Sequence, residues 1–579
     1  MSGPGALAWV ALAGVARAQG GAPDAAGFLY LVMVDRHLDG DPANAPGVDR
    51  ADPQAFHGGD FAGLTADLPR IEALGASAIW LTPITAAQDA RIGAWGAFHG
   101  YWMDDPAVVA PRFGGEAGLR TLREAAAARR LGLVVDLVWN HVSPTSRLRQ
   151  THPDWFHPSL PITDWDDPVQ RVTHEVHGLP DLAQENPAVA DWLLAGATRF
   201  AALEGVVGVR IDAVRHMDPV VLRGMITRLR AAAPTWVVAE DFDGDPVRLE
   251  ASRQAIGADA IFDFPLHYAL TDAACRGGSL GAIAAVLSAD PPDAAATRVT
   301  FLDNHDRPRI ATACVTAPGG LERALALLFS MRGLPSLTWG TEARATGAKE
   351  PHNRASLDLS ARDPAIEALI RDLVALRRAH PALVGGATRV AEVSAERLQL
   401  LRGGGPGEGL AVLTWNAGAG PWEPPLALRP GTRAVEARAW GANGASQPGP
   451  LPRALAPGEL RLTLYGPGAL VGTRWEDASL RAVLPRTREV APPGATLRLC
   501  GTHPTLGAWV PARCPVVGPG GVLSLRWRPG TASMARLVRV WEDGRVEWAS
   551  GADELIHVAE TNGAGMQLRG TFSAGGGAR

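Results

Sequence analysis

Short, near-continuously apolar runs alternate with Ala-, Leu- and Arg-rich stretches of helical period through residues 28–384. The runs lie at 31–34, 78–81, 133–138, 206–211, 236–239, 260–262, 299–302 and 335–339. A strand covered on both faces loses the apolar–polar alternation of a half-exposed sheet, so such runs between helices predict parallel strands. Eight strand–helix units of this kind predict an α/β chain folded as a (β/α)8 TIM barrel. A doubly wound open sheet is the alternative. It usually has fewer strands, and no Gly-rich phosphate loop follows the first run.

Between the third and fourth runs the pattern breaks. Residues 141–185 are rich in His, Asp, Pro and Trp and carry few helical signals, which predicts a long functional insertion. Over 385–475, alternating segments at 398–401, 410–415 and 460–465 are separated by Gly/Pro turns, the pattern of a small antiparallel β domain. A charged, Pro-containing stretch at 475–490 reads as a linker. Short strands return over 490–560, with Trp509, Trp527, Trp541 and Trp548 among them, and the Gly/Ala-rich end at 573–579 is expected to fray.

Composition narrows the function classes. With 46% hydrophobic and 20% charged residues, the 579-residue chain has material for a large core. A net charge of −5 with no dominant basic patch argues against nucleic acid or an anionic membrane as partner. Beyond the N-terminus, no apolar run approaches the roughly 18 residues a membrane span needs. The apolar segment 6–16, followed by Ala16-Arg17-Ala18, reads as a secretory signal cut after Ala18, although no Lys or Arg precedes the apolar run. Residues 1–18 are therefore expected to be removed and the protein secreted. Cys275, Cys314, Cys500 and Cys514 make an even set that suits export. Cys500 and Cys514 are near enough to clip one small domain, with buried free thiols as the alternative. Lys349 is the chain's one lysine, so Arg stands at nearly every basic position.

In a barrel of this class chemistry sits at the C-terminal strand ends. Asp136 lies in the third run and Asn140-His141 follow it. Arg210 and Asp212 end the fourth, with Arg215-His216 beyond. Glu240-Asp241 follow the fifth, and Asn304-His305-Asp306 the seventh. Single strand-end acids often cap the next helix. Three of them, with Arg and His beside two, suit the two-carboxylate cleavage of a glycosidic bond. One acid protonates the leaving oxygen, and the other attacks the anomeric carbon or activates water. Asp212, two residues from Arg210 on the same strand face, should stay ionised. Glu240, after an apolar run and next to other acids, should hold its proton. Metal-dependent hydrolysis and enolate chemistry use similar clusters, but they usually need a tighter His/Asp cage or a strand-end Lys. No strand end here carries a lysine.

The segments Asp136-Leu-Val-Trp-Asn140-His141, Gly208-Val-Arg210-Ile-Asp212-Ala-Val-Arg215-His216, Ala239-Glu240-Asp241 and Phe301-Leu-Asp-Asn304-His305-Asp306 resemble the four signature regions of the α-amylase family of glycoside hydrolases, family 13. Leu179-Pro-Asp181-Leu resembles a further signature in that family's inserted domain, and His99-Gly-Tyr101-Trp its stacking segment. The resemblance covers residues 28–475. It implies that Asp212 is the nucleophile, Glu240 the general acid/base and Asp306 the third acid that binds and distorts the sugar. It implies that Arg210, His141 and His305 contact that sugar, that Tyr101 stacks on it with His99 in the same segment, and that Arg215 and His216 lie on the leaving-group side. Arg215 stands where the family has Lys. Ca2+ is implied too, held by Asn140, Asp181 and the backbone carbonyl of His216; oxygen ligands from separate segments suit that ion. A second calcium loop is implied by Asp39, Asp41 and Asn44 with Gly58 and Asp60, with Ala45 in place of a common ligand. His177 stands where cyclodextrin-forming relatives carry a large aromatic, a departure that favours hydrolysis.

Gly501-Thr-His-Pro-Thr-Leu-Gly-Ala-Trp509 and Val546-Glu-Trp548 resemble a β-sandwich starch-binding domain, carbohydrate-binding module family 20, over residues 483–579. Trp509 and Trp548 match its sugar-stacking pair and Trp527 a core position. The usual Asn-Arg after the second Trp is replaced near Gly551-Ala-Asp553-Glu554. The expectation is a secreted, monomeric, calcium-dependent α-amylase acting on starch and maltooligosaccharides. A cyclodextrin-forming or maltosyl-transferring enzyme is one rival, and a catalytically silent glucan-binding protein is another.

Overall fold

The computed structural model describes residues 21–469, except 45, 89–90, 405–407, 425, 427, 429–430, 443 and 446–451, and then 478–483, 494–518, 522–527, 531–549 and 554–557. The expected signal segment 1–18, much of the 475–490 linker and the 573–579 tail lie outside these residues.

Eight parallel strands close into a barrel in sequence order. They are β1 (Leu29–Val32), β2 (Ala78–Leu81), β3 (Gly132–Leu137), β4 (Val206–Ile211), β5 (Trp236–Ala239), β6 (Ala260–Phe262), β7 (Arg298–Phe301) and β8 (Leu334–Thr338). β1 pairs with β2 on one side and β8 on the other, which completes the ring. Almost every strand residue is buried, as expected for a sheet with helices outside and side chains filling the inside. The four apolar runs at 78–81, 206–211, 236–239 and 260–262 coincide with strands, and the other four are displaced by one or two residues.

The surrounding helices are started by local chemistry. Those at Pro187–Ala201, Pro219–Ala232, Pro246–Ile256 and Pro364–Ala379 each begin with Pro, and Asn186, Asp218, Asp245 and Asp363 accept N–H bonds at their N-termini. Pro lacks the N–H that a first helical turn leaves unpaired, and the capping oxygen satisfies the next ones.

The long connection from β3 to β4 contains only short helical turns, Leu148–Thr151, Pro153–Trp155 and Gln170–Thr173, before the helix Pro187–Ala201. It is tied to the barrel rim by a bridge between His141 and Asp181. Beyond the barrel, a six-stranded antiparallel sheet is built on Arg397–Gly403, Leu410–Asn416 and Glu459–Tyr465. Further on, Ala495–Gly501, Ala532–Trp541, Val546–Trp548 and Glu554–His557 form a second antiparallel sheet, and Ala478–Val483 pairs with Val522–Trp527. The helix Leu280–Ser288 touches both sheets. Leu280 N–H donates to the Ala395 carbonyl at 2.9 Å, and Ser288 Oγ accepts from Ala532 N–H at 2.8 Å. The cysteines form two disulfides, Cys275–Cys314 and Cys500–Cys514. This corrects the alternative of buried free thiols: helix packing brings Cys275 and Cys314 together across 39 residues.

Candidate active site

A cleft of about 910 Å³ opens at the C-terminal strand ends. Arg210 lies at its floor, fully buried. β4 turns alternate side chains into the barrel, and register pairing sets Arg210 beside Asp136 of β3. Arg210 Nη1 lies 2.7 Å from Asp136 Oδ1 and 2.7 Å from Asp212 Oδ1, and Nη2 lies 2.6 Å from Glu240 Oε1. One guanidinium thus faces three carboxylates on adjacent strands. Their charges outweigh the cost of burial and hold Arg210 firmly protonated.

Asp212 follows β4 and Glu240 follows β5. Both are anchored by the parallel ladder, Asp212 N–H on the Leu137 carbonyl and Glu240 N–H on the Ile211 carbonyl, each at 3.1 Å. Burial pushes the Glu240 carboxyl well above the usual range. Arg210 opposes that shift, while Asp212, Asp306 and Asp136 add to it. The acids expected from the sequence to raise Glu240 contribute, but desolvation contributes most.

Asp306 lies across the cleft with its side chain 28% exposed. Its carboxylate sits 3.0 Å from His305 Nε2 and 2.7 Å from Arg354 Nη2. Burial alone would raise its pKa, but His305, then Arg354 and Arg210, outweigh it and hold the carboxyl well below its ordinary value. The cleft therefore sets one carboxyl whose pKa is raised, Glu240, near another whose pKa is lowered, Asp306.

Aromatic faces build the walls. Tyr101 stacks on His305, with ring centres 5.1 Å apart and planes 10° apart, and on His99 at 5.9 Å. Its hydroxyl donates to Asp136 Oδ2 at 2.8 Å. His141 Nε2 contacts the Tyr101 carbonyl at 3.1 Å, and burial lowers the pKa of both His99 and His141, favouring neutral rings. Arg215 donates to the Phe242 carbonyl at 3.1 Å and lies 3.8 Å from Asp241 and 3.6 Å from Asp243. His216 Nδ1 faces the Arg171 carbonyl at 3.0 Å, and burial lowers its pKa to about 4. His177 is exposed at the cleft rim with φ 53°.

The structure brings every one of these sequence-expected cleft residues to one cavity or its floor, and adds others. Arg354 and Glu350 come from the loop after β8 and form an ion pair with each other beside Asp306. Trp165, 48% exposed, lies at the rim 6.3 Å from His177 and 5.9 Å from His216, and Phe242 is 39% exposed nearby. The polar run Glu350-Pro-His-Asn-Arg354 after the eighth apolar run carried a signal for the first pair. Trp165 lay in a Trp- and His-rich insertion where spacing gives no face.

The outer amide atom of Asn140 lies 2.7 Å from the His216 carbonyl oxygen and 3.3 Å from Asp181 Oδ1. With nitrogen there, the amide donates to both. With oxygen there, three acceptors converge, an arrangement a cation relieves. Among the described residues no group of three His, Cys, Asp or Glu side chains is placed to hold a metal. A cation at this point would depend on amide and carbonyl oxygens. Burial raises Asp181 to about 6, against the pull of His157 at 2.6 Å.

The loop before the helix Phe61–Leu74 is differently arranged. Asp60 accepts from the N–H groups of Gly40, Asp41 and Gly63 and from the Asn44 amide. Asp39 pairs with Arg50 at 2.8 Å beside Gly58, leaving Asp39 Oδ1 and Asn44 Oδ1 buried without a hydrogen bond. Ala45 lies outside the described residues.

In the C-terminal sheet, Trp509 and Trp548 are neighbours, with ring centres 6.0 Å apart and planes 49° apart. Both are half-buried against Cys500, Cys514 and Val538. The side chain of Trp527 and residues 551–553 lie outside the described part.

Residues 31–373 match the alpha amylase catalytic domain. The chain belongs to the alpha-amylase family. A beta/alpha-amylase of Paenibacillus polymyxa is 30% identical over 383 residues, covering 62% of this chain and 31% of that protein. A cyclomaltodextrin glucanotransferase of Thermoanaerobacterium thermosulfurigenes is 25% identical over 399 residues, 62% of this chain and 56% of that one. The matched stretch thus spans about a third and about half of these two curated relatives. Among solved structures, the alpha-amylase of Geobacillus thermoleovorans is 27% identical with a TM-score of 0.65, over 76% of this chain and 98% of its own. A gamma-cyclomaltodextrin glucanotransferase of Bacillus clarkii, 20% identical, shares the fold over 95% of this chain and 99% of its own at a TM-score of 0.66.

Proposed function

We propose that this protein is a secreted, endo-acting α-amylase that hydrolyses α-1,4-glucosidic bonds of starch and maltooligosaccharides with retention of configuration. The observation that carries the reading is the single guanidinium of Arg210 shared by Asp212 and Glu240. Asp212 reaches its Nη1 and Glu240 its Nη2, so the two carboxyl groups are neighbours across one guanidinium, a close placement that suits a covalent intermediate rather than an interposed water. Asp212 attacks the anomeric carbon while Glu240 gives its proton to the leaving oxygen. Glu240, now a carboxylate, then takes a proton from the water that releases the sugar. Asp306 and His305 bind hydroxyls of the sugar at the cleavage point, and Tyr101 stacks on its ring. In this reading 28–384 is the catalytic barrel, 141–185 its insertion, 385–475 a β domain and 483–579 a starch-binding domain. The experiment is product analysis on soluble starch: linear reducing oligosaccharides from internal cleavage are expected.

Transfer to a sugar acceptor is the second reading, favoured by the exposed Trp165 and Phe242 beside Arg215 and His216. Flat faces there would hold an acceptor in place of water. Cyclic or lengthened oligosaccharides as the main products would establish it. Two disulfides suit an oxidising compartment and support export.

Ca2+ belongs to the same proposal. Asn140, Asp181 and the His216 carbonyl would hold it, joining the insertion to the barrel rim; the ion supplies structure, not a reacting group. Asp39, Asp41, Asn44, Gly58 and Asp60 form the second candidate loop. A ligand bound only by the native state stabilises it by RT ln(1 + [L]/Kd). Excess chelator, with metal removal verified by elemental analysis, should lower the melting temperature by several degrees, about the shift a loss of 1–3 kcal/mol gives. An unchanged melting temperature would count against both loops.

Trp509 and Trp548 are proposed to stack on starch. Tethering raises the effective concentration of substrate without touching the cleft. Changing both to Ala should abolish adsorption to raw granules and leave hydrolysis of short soluble maltooligosaccharides within about twofold. A double variant that melts normally and still adsorbs would refute the binding role.

A further inference from the structure

We infer that Trp155 and Trp192 form a second glucan-holding platform, outside the catalytic cleft, where the insertion meets the helix Pro187–Ala201. The inference rests on the reading of the protein as a glucan-acting enzyme, and not on the role proposed for Trp509 and Trp548. Outside the cleft and residues 483–579, every described tryptophan but two is buried. The two are Trp155 and Trp192, each partly exposed, and neither lines the cleft. Their ring centres are 5.4 Å apart and their planes 48° apart. The Trp509–Trp548 pair has nearly the same shape, at 6.0 Å and 49°. His152, exposed, extends the array by stacking on Trp155 at 4.4 Å and 22°. Among the described residues neither indole N–H has a protein acceptor, and neither nitrogen is closed off from solvent.

The pair is held in place from two sides. The Trp155 carbonyl accepts from Ala183 N–H at 2.8 Å. Asn186 Nδ2 donates to the Asp154 carbonyl at 3.1 Å, and its Oδ1 accepts from Ala188 N–H at 3.0 Å. One side chain thus starts the helix that carries Trp192 and fixes the backbone beside Trp155. A glucose ring has C–H groups on its faces and hydroxyls around its edge. Indole matches this with an apolar face and one N–H at its rim. Successive rings of an α-1,4-glucan are turned relative to one another because the chain winds, so two inclined indoles fit two neighbouring rings. Asp154 and Asp191, each next to one of the tryptophans in sequence, are exposed and can accept from sugar hydroxyls. A pair that served only to pack the insertion on the helix would keep its N–H groups paired or its rings inside, as the other tryptophans of the barrel do.

The test uses the full chain carrying Asp212→Asn, to halt turnover, with Trp509→Ala and Trp548→Ala, to remove the C-terminal pair. Its affinity for amylopectin is read from retardation in a native gel. Sites on one polymer act together, so losing one lowers the overall affinity. Adding Trp192→Ala should weaken that affinity about three- to tenfold, the worth of one aromatic contact. Trp192→Tyr keeps a flat face and should retain most of it. In the otherwise unaltered enzyme, Trp192→Ala should leave hydrolysis of maltotriose within about twofold, which a disturbed cleft would not. If Trp192→Ala does not fold, Ala195→Arg decides. Ala195 is exposed three residues on, and Arg there lays its guanidinium over the indole while suiting the helix. The same weakening is expected. Unchanged retardation in a folded Trp192→Ala or Ala195→Arg chain would overturn the platform, as would a parent chain that amylopectin does not retard at all. A retarded parent chain whose wild-type form cleaves no α-glucan would instead strike the enzymatic reading and leave the platform standing.

Discussion

Replacing Asp212 with Asn is expected to reduce turnover on starch by at least about 10³-fold while leaving the fold intact. Asparagine is nearly isosteric and can still accept the Arg210 N–H that Asp212 Oδ1 receives at 2.7 Å. The ladder bond from its backbone N–H to Leu137 is unaffected. What is lost is the nucleophile: a carboxamide oxygen does not form a stable glycosyl ester. Steady-state rates on soluble starch, with a melting curve of the same preparation, are the measurement. A folded variant retaining more than about a tenth of wild-type turnover would refute the assignment.

Replacing Glu240 with Gln is expected to cost about 10²–10⁴-fold on starch, the usual contribution of a general acid. The loss should depend on the leaving group. A glycosyl fluoride needs no proton, so its first step should proceed, and the glycosyl-enzyme then waits for a base. Azide attacks without one, so added azide should restore turnover and yield the glycosyl azide. The pH dependence has a definite sign. Burial raises the Glu240 pKa, so wild-type activity is present below that raised value and is lost as pH rises through it. An equal loss on fluoride and on starch, with no azide rescue, would contradict the acid/base role.

The barrel was legible because its eight strands are buried on both faces, and only parallel sheets between helices produce such runs so regularly. Ends were less certain. β1 spans Leu29–Val32 although the run read from the sequence starts at 31, because residues 28–34 are apolar and buried throughout and hydrophobicity alone does not mark where strand pairing begins within them. The strand-end acids were legible for a related reason: helix capping accounts for one acid after a buried run, but not for three of them at one rim with Arg and His alongside. The polar run holding Arg354 was visible, but its contact with Asp306 was not, because that depends on how the loop after β8 folds back over 48 residues of sequence. The contact between Arg210 and Glu240 was hidden as well: it follows from the twist and register of β4 against β5, which no spacing along one strand reports. Asp60 shows the reverse case. As a residue it looks like a metal ligand, and its place at the start of the helix Phe61–Leu74 surrounds it with N–H donors. The pairing of Cys275 with Cys314 needed the helix Phe264–Arg276 and the turn at Ile310–Ala313 to be set side by side.

The central claim, retaining hydrolysis of α-1,4-glucan by Asp212 and Glu240, is tested most directly by proton NMR of the first products from a defined maltooligosaccharide. Spectra recorded before mutarotation should show new reducing ends in the α configuration, with linear oligosaccharides as the products. New reducing ends that first emerge as β anomers would contradict the double displacement, and a spectrum that never changes would contradict the assignment of an activity at all.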